Sequence, residues 1–173
     1  MNNTIPKFSR RDLATYGATA LVALGTATVN SASAQTTQNP ELKSEFLLEL
    51  LLDTEPAMNA GTTNITPVSG GTFNGPKLKG TVLPGGADWV TKSPNGDIHL
   101  NVRITLLTDD EQLIYMSYTG LIHRSMKTGA TYWRVRPVFE TASEKYDFLN
   151  HLVAVGVSKQ VRGKVAYDVH EIL

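Results

Sequence analysis

The stretch Ile98 to Leu107 constrains this chain more than any other. Ile98, Leu100, Val102, Ile104 and Leu106 alternate with His99, Asn101, Arg103 and Thr105. A period of two over ten residues has one structural solution, a β-strand with one apolar face and one polar face. Residues 109–140 continue the pattern. Asp109-Asp110-Glu111 reads as a hairpin turn, Leu113 to Arg124 as a returning strand with Gly120 as a bulge or bend, and Lys127-Thr128-Gly129 as a second turn. Thr131 to Glu140 completes a three-stranded meander.

The rest of the chain fits around that meander. Glu45 to Asp53 is short for a helix and reads as a strand with Phe46, Leu48, Leu50 and Leu52 on one face. Thr54 to Gly75 is rich in Gly, Pro, Asn and Thr and reads as loop with short extended pieces. Gly70 to Pro76 and Pro84 to Trp89 read as turn clusters, with a short strand Lys77 to Leu83 between them. Thr141 and Glu144 have the spacing of a capping box, so a short helix is expected over Ala142 to Asn150, with Tyr146, Phe148, Leu149 and Leu152 turned to the core. His151 to Ser158 and Val165 to Ile172 read as closing strands. About eight or more hairpin-linked strands must close or sandwich to remove their edges. The expected fold is all-β, a single antiparallel β-barrel with one short helix.

The N-terminus reads as a targeting segment. Arg10-Arg11 precedes a weakly apolar stretch, Ala14 to Val29, which ends in Ala32-Ser33-Ala34. Paired arginines, modest hydrophobicity and a small-x-small site match a twin-arginine signal peptide over residues 1–34. Thr15, Gly17, Thr19 and Gly25 interrupt the apolar run that a membrane anchor needs. Residues 35–44 read as a flexible lead-in and 45–173 as the barrel domain. The expected location is the periplasm or the exterior, with no membrane insertion after cleavage.

Composition removes several chemistries. Cysteine is absent, which excludes thiol catalysis, disulfides and thiolate metal sites. Lys+Arg and Asp+Glu both number 16, so net charge makes no case for nucleic acid. His99, His123, His151 and His170 lack metal-site spacing, and the glycine cluster lacks both a phosphate-loop ending and a dinucleotide fingerprint. No motif selects a metal or another cofactor.

Several motifs resemble a known family. Gly70-Gly71-Thr72-Phe73-Asn74-Gly75-Pro76, Leu83 to Trp89 and Asn101-Val102-Arg103 are similar to its first half. Tyr132-Trp133-Arg134, Pro137 to Thr141 and Tyr146 to Asn150 are similar to its second. It is the family of small barrels catalogued as domain of unknown function 3237, and the similarity runs from about Glu45 to Ile172. The resemblance implies a single-domain antiparallel barrel, often a homo-oligomer, with no catalytic assignment to carry over. Trp133 stands where the family usually has Phe, and Ala142 where it usually has Gly.

Residue type suggests the candidate chemistry. Arg103 lines a lumen if the polar face of its strand points inward, and faces solvent if the apolar face is the core. Arg134 and Arg136 share a face with Glu140, an arrangement that holds a carboxylate ligand or forms a surface ion pair. Glu140 is an acid/base candidate or a helix cap. Asp88 beside Trp89 is either a general base with a stacking platform or a turn-capping acid next to a core Trp. Tyr115, Tyr118 and Tyr132 lie on neighbouring strands and line an aromatic pocket or pack the core. The candidate catalytic set is therefore Glu140, Arg103 and Asp88. The candidate ligand-binding set is Trp89, Tyr115, Tyr118, Tyr132, Trp133 and Arg134.

The functional expectation is an exported barrel that binds a small apolar or aromatic molecule. Such a barrel can catalyse an isomerase, lyase or hydratase type of reaction without a cofactor. A non-catalytic carrier and a structural homo-oligomer with a packed core are the alternatives.

Overall fold

The structure, a computed structural model, describes residues 41–173. The expected twin-arginine segment, residues 1–34, lies outside the described residues. The strands are β1 (Ser44–Thr54), β2 (Met58–Asn59), β3 (Thr63–Asn74), β4 (Lys79–Lys92), β5 (Ile98–Thr108), β6 (Leu113–Arg124), β7 (Thr131–Glu140), β8 (Val153–Ser158) and β9 (Val165–Ile172). Their order is β1-β9-β8-β7-β6-β5-β4-β3-β2, and β1 also pairs with β3. That second pairing closes eight antiparallel strands into a barrel and leaves β2 as a short appendage on β3. One 3-10 helix, Glu144–His151, joins β7 to β8.

Period two decides what is inside. Leu100, Val102, Ile104 and Leu106 of β5 meet Ile114, Met116 and Tyr118 of β6 and Val135 and Phe139 of β7, all buried. Burying each such side chain contributes roughly 2 kcal/mol. The two ends of the barrel differ. At one end Leu47, Phe73, Leu78 and Phe139 pack with Tyr146 and Leu149 of the helix, which plugs the lumen. The Tyr146 hydroxyl donates to Asp110 Oδ1 at 2.8 Å, and Lys145 Nζ donates to Asp110 Oδ2 at 2.6 Å. These bonds tie the helix to the β5–β6 turn. At the other end only hairpin turns and the β1–β3 connection surround the lumen, and it stays open.

The helix start differs from the capping box. Thr141 Oγ1 accepts from Ser143 N at 3.1 Å and donates to the Leu113 carbonyl at 2.7 Å. Ser143 is the N-cap, without a side-chain cap bond. Asn150 instead clamps Thr141, accepting from its N–H and donating to its C=O, each at 2.9 Å.

Residues 54–75 and 84–89 are largely strand where loop and turns were expected. Gly70-Gly71 and Gly85-Gly86 mark register shifts inside β3 and β4, between Val68 and Gly71 and between Leu83 and Ala87. Glycine-bearing bulges bend two long strands round the barrel without ending them. A Cβ on Gly71 would collide with the Leu51 carbonyl oxygen, so β1 and β3 close the barrel only over a bare backbone. Gly120 is not a bulge. Its pairings with Leu100 and Val135 are in register, and a Cβ there would lie 2.8 Å from Val135 Cγ1. A bulge between Phe46 and Leu48 turns Phe46 out of the Leu48, Leu50 and Leu52 row, leaving it 44 % exposed.

Gly71→Ala is expected to destabilise the domain by about 3 kcal/mol or more, lowering its thermal midpoint by on the order of 10 °C. The neighbouring exposed substitution Thr72→Ala is expected to leave the midpoint within a few degrees. Thermal denaturation followed by circular dichroism compares the two.

Candidate functional site

The open end of the lumen holds a cavity of about 230 Å3. Its wall is mostly apolar, with Val68, Val90, Ile98, Leu100, Ile122 and Val165 contributing from five strands. Into this wall project Asp88, Tyr118, Trp133 and Tyr167, with Thr54 and Thr66 near the rim. Larger depressions on the outer wall, up to about 500 Å3, are shallow and open to water. The lumen cavity is the one that withdraws a ligand from solvent among the described residues, and it is the candidate site.

Asp88 is the group with altered chemistry. Burial pushes its carboxyl up from the ordinary 3.8 to about 6, partly offset by the Asn101 N–H. That N–H donates to Asp88 Oδ1 at 3.0 Å. A carboxyl near 6 holds and releases its proton close to neutrality, as a general acid or base requires.

The aromatic groups form one cluster. The Tyr118 and Tyr167 rings meet edge to face at 5.6 Å, and Trp133 meets Tyr167 in the same way at 5.7 Å. Burial raises the Tyr118 hydroxyl well above its ordinary range, and Tyr167 and Asp88 add to the effect. Burial also raises Tyr167, whereas the Tyr118 hydroxyl and the Trp133 indole oppose the shift. Both phenols therefore stay protonated at neutral pH. Trp133 Nε1 is buried and makes no hydrogen bond, although its dipole acts on the Tyr167 oxygen. A buried donor left unpaired costs about 1–3 kcal/mol, so an acceptor placed beside it would be held strongly.

The structure brings Asp88, Tyr118 and Trp133 together and places the other candidates elsewhere. Trp89 follows Asp88 in a strand, so it points the opposite way, to the outer face, where Arg103 lies over its ring at 5.1 Å. Arg103 thus faces out, because the apolar row of β5 fills the lumen. Tyr132 and Arg134 stack on the outer face at 5.0 Å, with Tyr132 51 % exposed. Tyr115 is also on the outer wall, and Glu140 is exposed at the plugged end. None of these five outward aromatic and arginine residues, nor Glu140, lines the cavity. Tyr167 is the aromatic wall residue missing from the sequence-based candidates, and the rim residues Thr54 and Thr66 are missing too. Val165, Tyr167 and Val169 alternate with Ala166, Asp168 and His170, and that alternation was the available signal.

The family model described as a protein of unknown function, DUF3237, matches residues 40–172. The chain belongs to this family. A UPF0311 protein of Rhodopseudomonas palustris is 32% identical over 128 residues, covering 67% of this chain and 84% of that protein. A β-barrel-like protein from Acinetobacter baumannii superposes with a TM-score of 0.73 at 32% identity, covering 79% of this chain and 99% of the other. A protein from Penicillium herquei, described as an enzyme, shares the fold at a TM-score of 0.62 and 24% identity, with 79% and 98% covered. Membership in DUF3237 leaves the chemistry of the lumen to be read from its own residues.

The raised carboxyl has a consequence for stability. The folded state holds a proton on Asp88 up to about pH 6, whereas the unfolded chain releases it near 3.8. The folded state therefore binds more protons across that window, and its stability falls as pH rises through it. Asp88→Asn is expected to stabilise the fold above about pH 6, by no more than about 2 kcal/mol given partial contact with water, and to have no effect below about pH 4. Urea titrations of both proteins at pH 4 and pH 7.5 measure the difference.

Proposed function

We propose that the open end of the barrel binds a small, mainly apolar or aromatic molecule and that Asp88 moves a proton on it, in an isomerase, lyase or hydratase type of reaction. The observation that carries this reading is one carboxyl with a raised pKa in an apolar cavity whose wall also holds Trp133, its indole N–H unpaired. Ionised Asp88 takes a proton from a carbon beside a carbonyl. The C–H electron pair forms a carbon–carbon double bond, and charge passes to the carbonyl oxygen. The Trp133 N–H and the Tyr118 or Tyr167 hydroxyl supply donors for that oxygen, stabilisation that is worth more in a water-poor site. Asp88 then returns the proton at the same or another carbon, and the cycle balances without an oxidant or reductant. The cavity is slightly below the usual span for ligand sites, which favours molecules of one or two rings.

Arg10-Arg11 and Ala32-Ser33-Ala34 support the further proposal that this chemistry takes place outside the cytoplasm after twin-arginine export.

The test is exchange of the acidic carbon-bound hydrogens of 2-tetralone with deuterated water, followed by proton NMR. The wild-type protein is expected to accelerate exchange over buffer, with a rate that rises through about pH 6. Asp88→Asn is expected to lower the catalysed rate by about 100-fold or more. Binding of 2-tetralone without accelerated exchange would make the protein a carrier. An Asp88→Asn variant that exchanges as fast as wild type would remove Asp88 from the mechanism.

A further inference from the structure

Charge is distributed unevenly along the barrel axis. At the plugged end Glu41, Glu45, Glu111, Glu140, Glu144 and Glu171 form no ion pair among the described residues. Lys79 and Lys145 there are paired with Asp109 and Asp110, and Lys43 and Lys77 are the cations of that end without an ion pair among the described residues, so six unpaired glutamates face two unpaired lysines. The open end has the opposite character. Lys164 pairs with Asp53, Lys159 with Glu49 and Asp168, and His123 with Asp97 at 2.6 Å. Those contacts absorb most of the acidic groups of that end and leave Glu55 as an exposed carboxylate. Lys92, Arg124, Lys127 and Arg162 remain, all exposed and none in an ion pair among the described residues.

Two of these cations have a particular position. Lys92 lies two residues beyond Val90 in β4, and Arg124 lies two beyond Ile122 in β6. Val90 and Ile122 are on the cavity wall. Strand alternation therefore puts Lys92 and Arg124 on the same lumen-facing rows, one step nearer the rim. Lys92 pairs with Ile98, which in turn pairs with Ile122, so the two rows are near neighbours. Lys127 and Arg162 sit in the β6–β7 and β8–β9 turns around the same mouth.

We propose that the ligand of the lumen is an anionic amphiphile, an apolar or aromatic body carrying a carboxylate or an equivalent anionic group, with the body in the cavity and the anion on Lys92 and Arg124 at the rim. This rests on the lumen being the binding site and names the class of molecule it takes. The two ends act together on such a molecule. The acidic plugged end repels it and the basic mouth attracts it, so it arrives in the orientation the cavity accepts. Ionised Asp88 deeper in the lumen repels the anion. The charged group therefore stays at the mouth while the uncharged body reaches Asp88.

Naphthalene-2-carboxylate and naphthalene-2-carboxamide have nearly the same shape and differ in charge. Isothermal titration calorimetry of each against the protein, at about 10 mM and about 0.5 M salt, separates the electrostatic part, because screening shortens from roughly 30 Å to a few Å between these conditions. The carboxylate is expected to bind about 5- to 10-fold more tightly than the amide at low salt, and equally at high salt. In Lys92→Gln/Arg124→Gln the low-salt advantage should disappear while amide binding stays the same. Equal binding of both compounds at every salt concentration, or an advantage that survives the double substitution, would overturn the anionic assignment and leave the lumen site standing. The filling variants Thr66→Phe and Ile122→Phe report on the site itself. If neither compound binds, or if both bind these variants as they bind wild type, the lumen is not the site and both readings fall together.

Discussion

Closure of the sheet at β1 is the constraint on which the rest of the structure depends. β1 hydrogen-bonds β9 along one edge and β3 along the other, and no other strand joins the two ends of the meander among the described residues. Closing the sheet removes the exposed edges that an open sheet of this size would leave. It also creates an inside, and so converts a two-sided alternation into a core and a surface. The approach of β1 to β3 needs a bare backbone at Gly71, and the curvature of β3 and β4 needs bulges at their glycine pairs. Glycine here is a device for closure.

A closed barrel of eight strands has room to be filled by side chains or to hold one small molecule. This chain does each at a different end. Around the helix, Leu47, Phe73, Leu78, Phe139, Tyr146 and Leu149 are buried and pack the lumen. At the other end Tyr118, Trp133 and Tyr167 stand among smaller aliphatic residues around the cavity, and no helix enters. The meagre β7–β8 ladder, limited to Arg134–Val157 and Val135–Gly156, shows where the barrel parts to let the helix in. Packing at one end and a cavity at the other thus have the same origin, the placement of a single helical connection. The cavity then provides the low-polarity surroundings that raise Asp88, and the raised carboxyl is what separates this lumen from a merely vacant one.

Much of the fold was legible in the sequence, because alternation is a local signal. The meander of β5, β6 and β7 and the last strand, β9, are visible in residues 98–140 and 165–172. The expected Glu45–Asp53 strand is β1, one residue longer at each end. Residues 54–75 were less readable. Glycine and proline are common signals of turns, but in a curved barrel they also serve bulges, and only tertiary closure distinguishes the two uses. The site was legible by half. Asp88, Tyr118 and Trp133 could be singled out by residue type, but which face of each strand points inward is a property of closure. Arg103, Tyr132 and Arg134 fell on the outer wall for that reason, and Trp89 separated from Asp88 because neighbours in a strand face opposite ways. Tyr167 was missed because it lies outside the central meander, although its own strand alternates clearly.

The two tryptophans of the chain offer a direct measurement of the central claim, that the open lumen is where a ligand goes. Trp133 lines the cavity with its indole N–H unpaired, and Trp89 lies on the outer face under Arg103. Their indole N–H resonances can be followed separately in 15N-labelled protein and assigned by Trp89→Phe. On titration with naphthalene-2-carboxamide, the Trp133 resonance should shift and saturate while that of Trp89 stays in place. A shift at Trp89 alone, or no shift at either indole at saturating compound, would contradict the account.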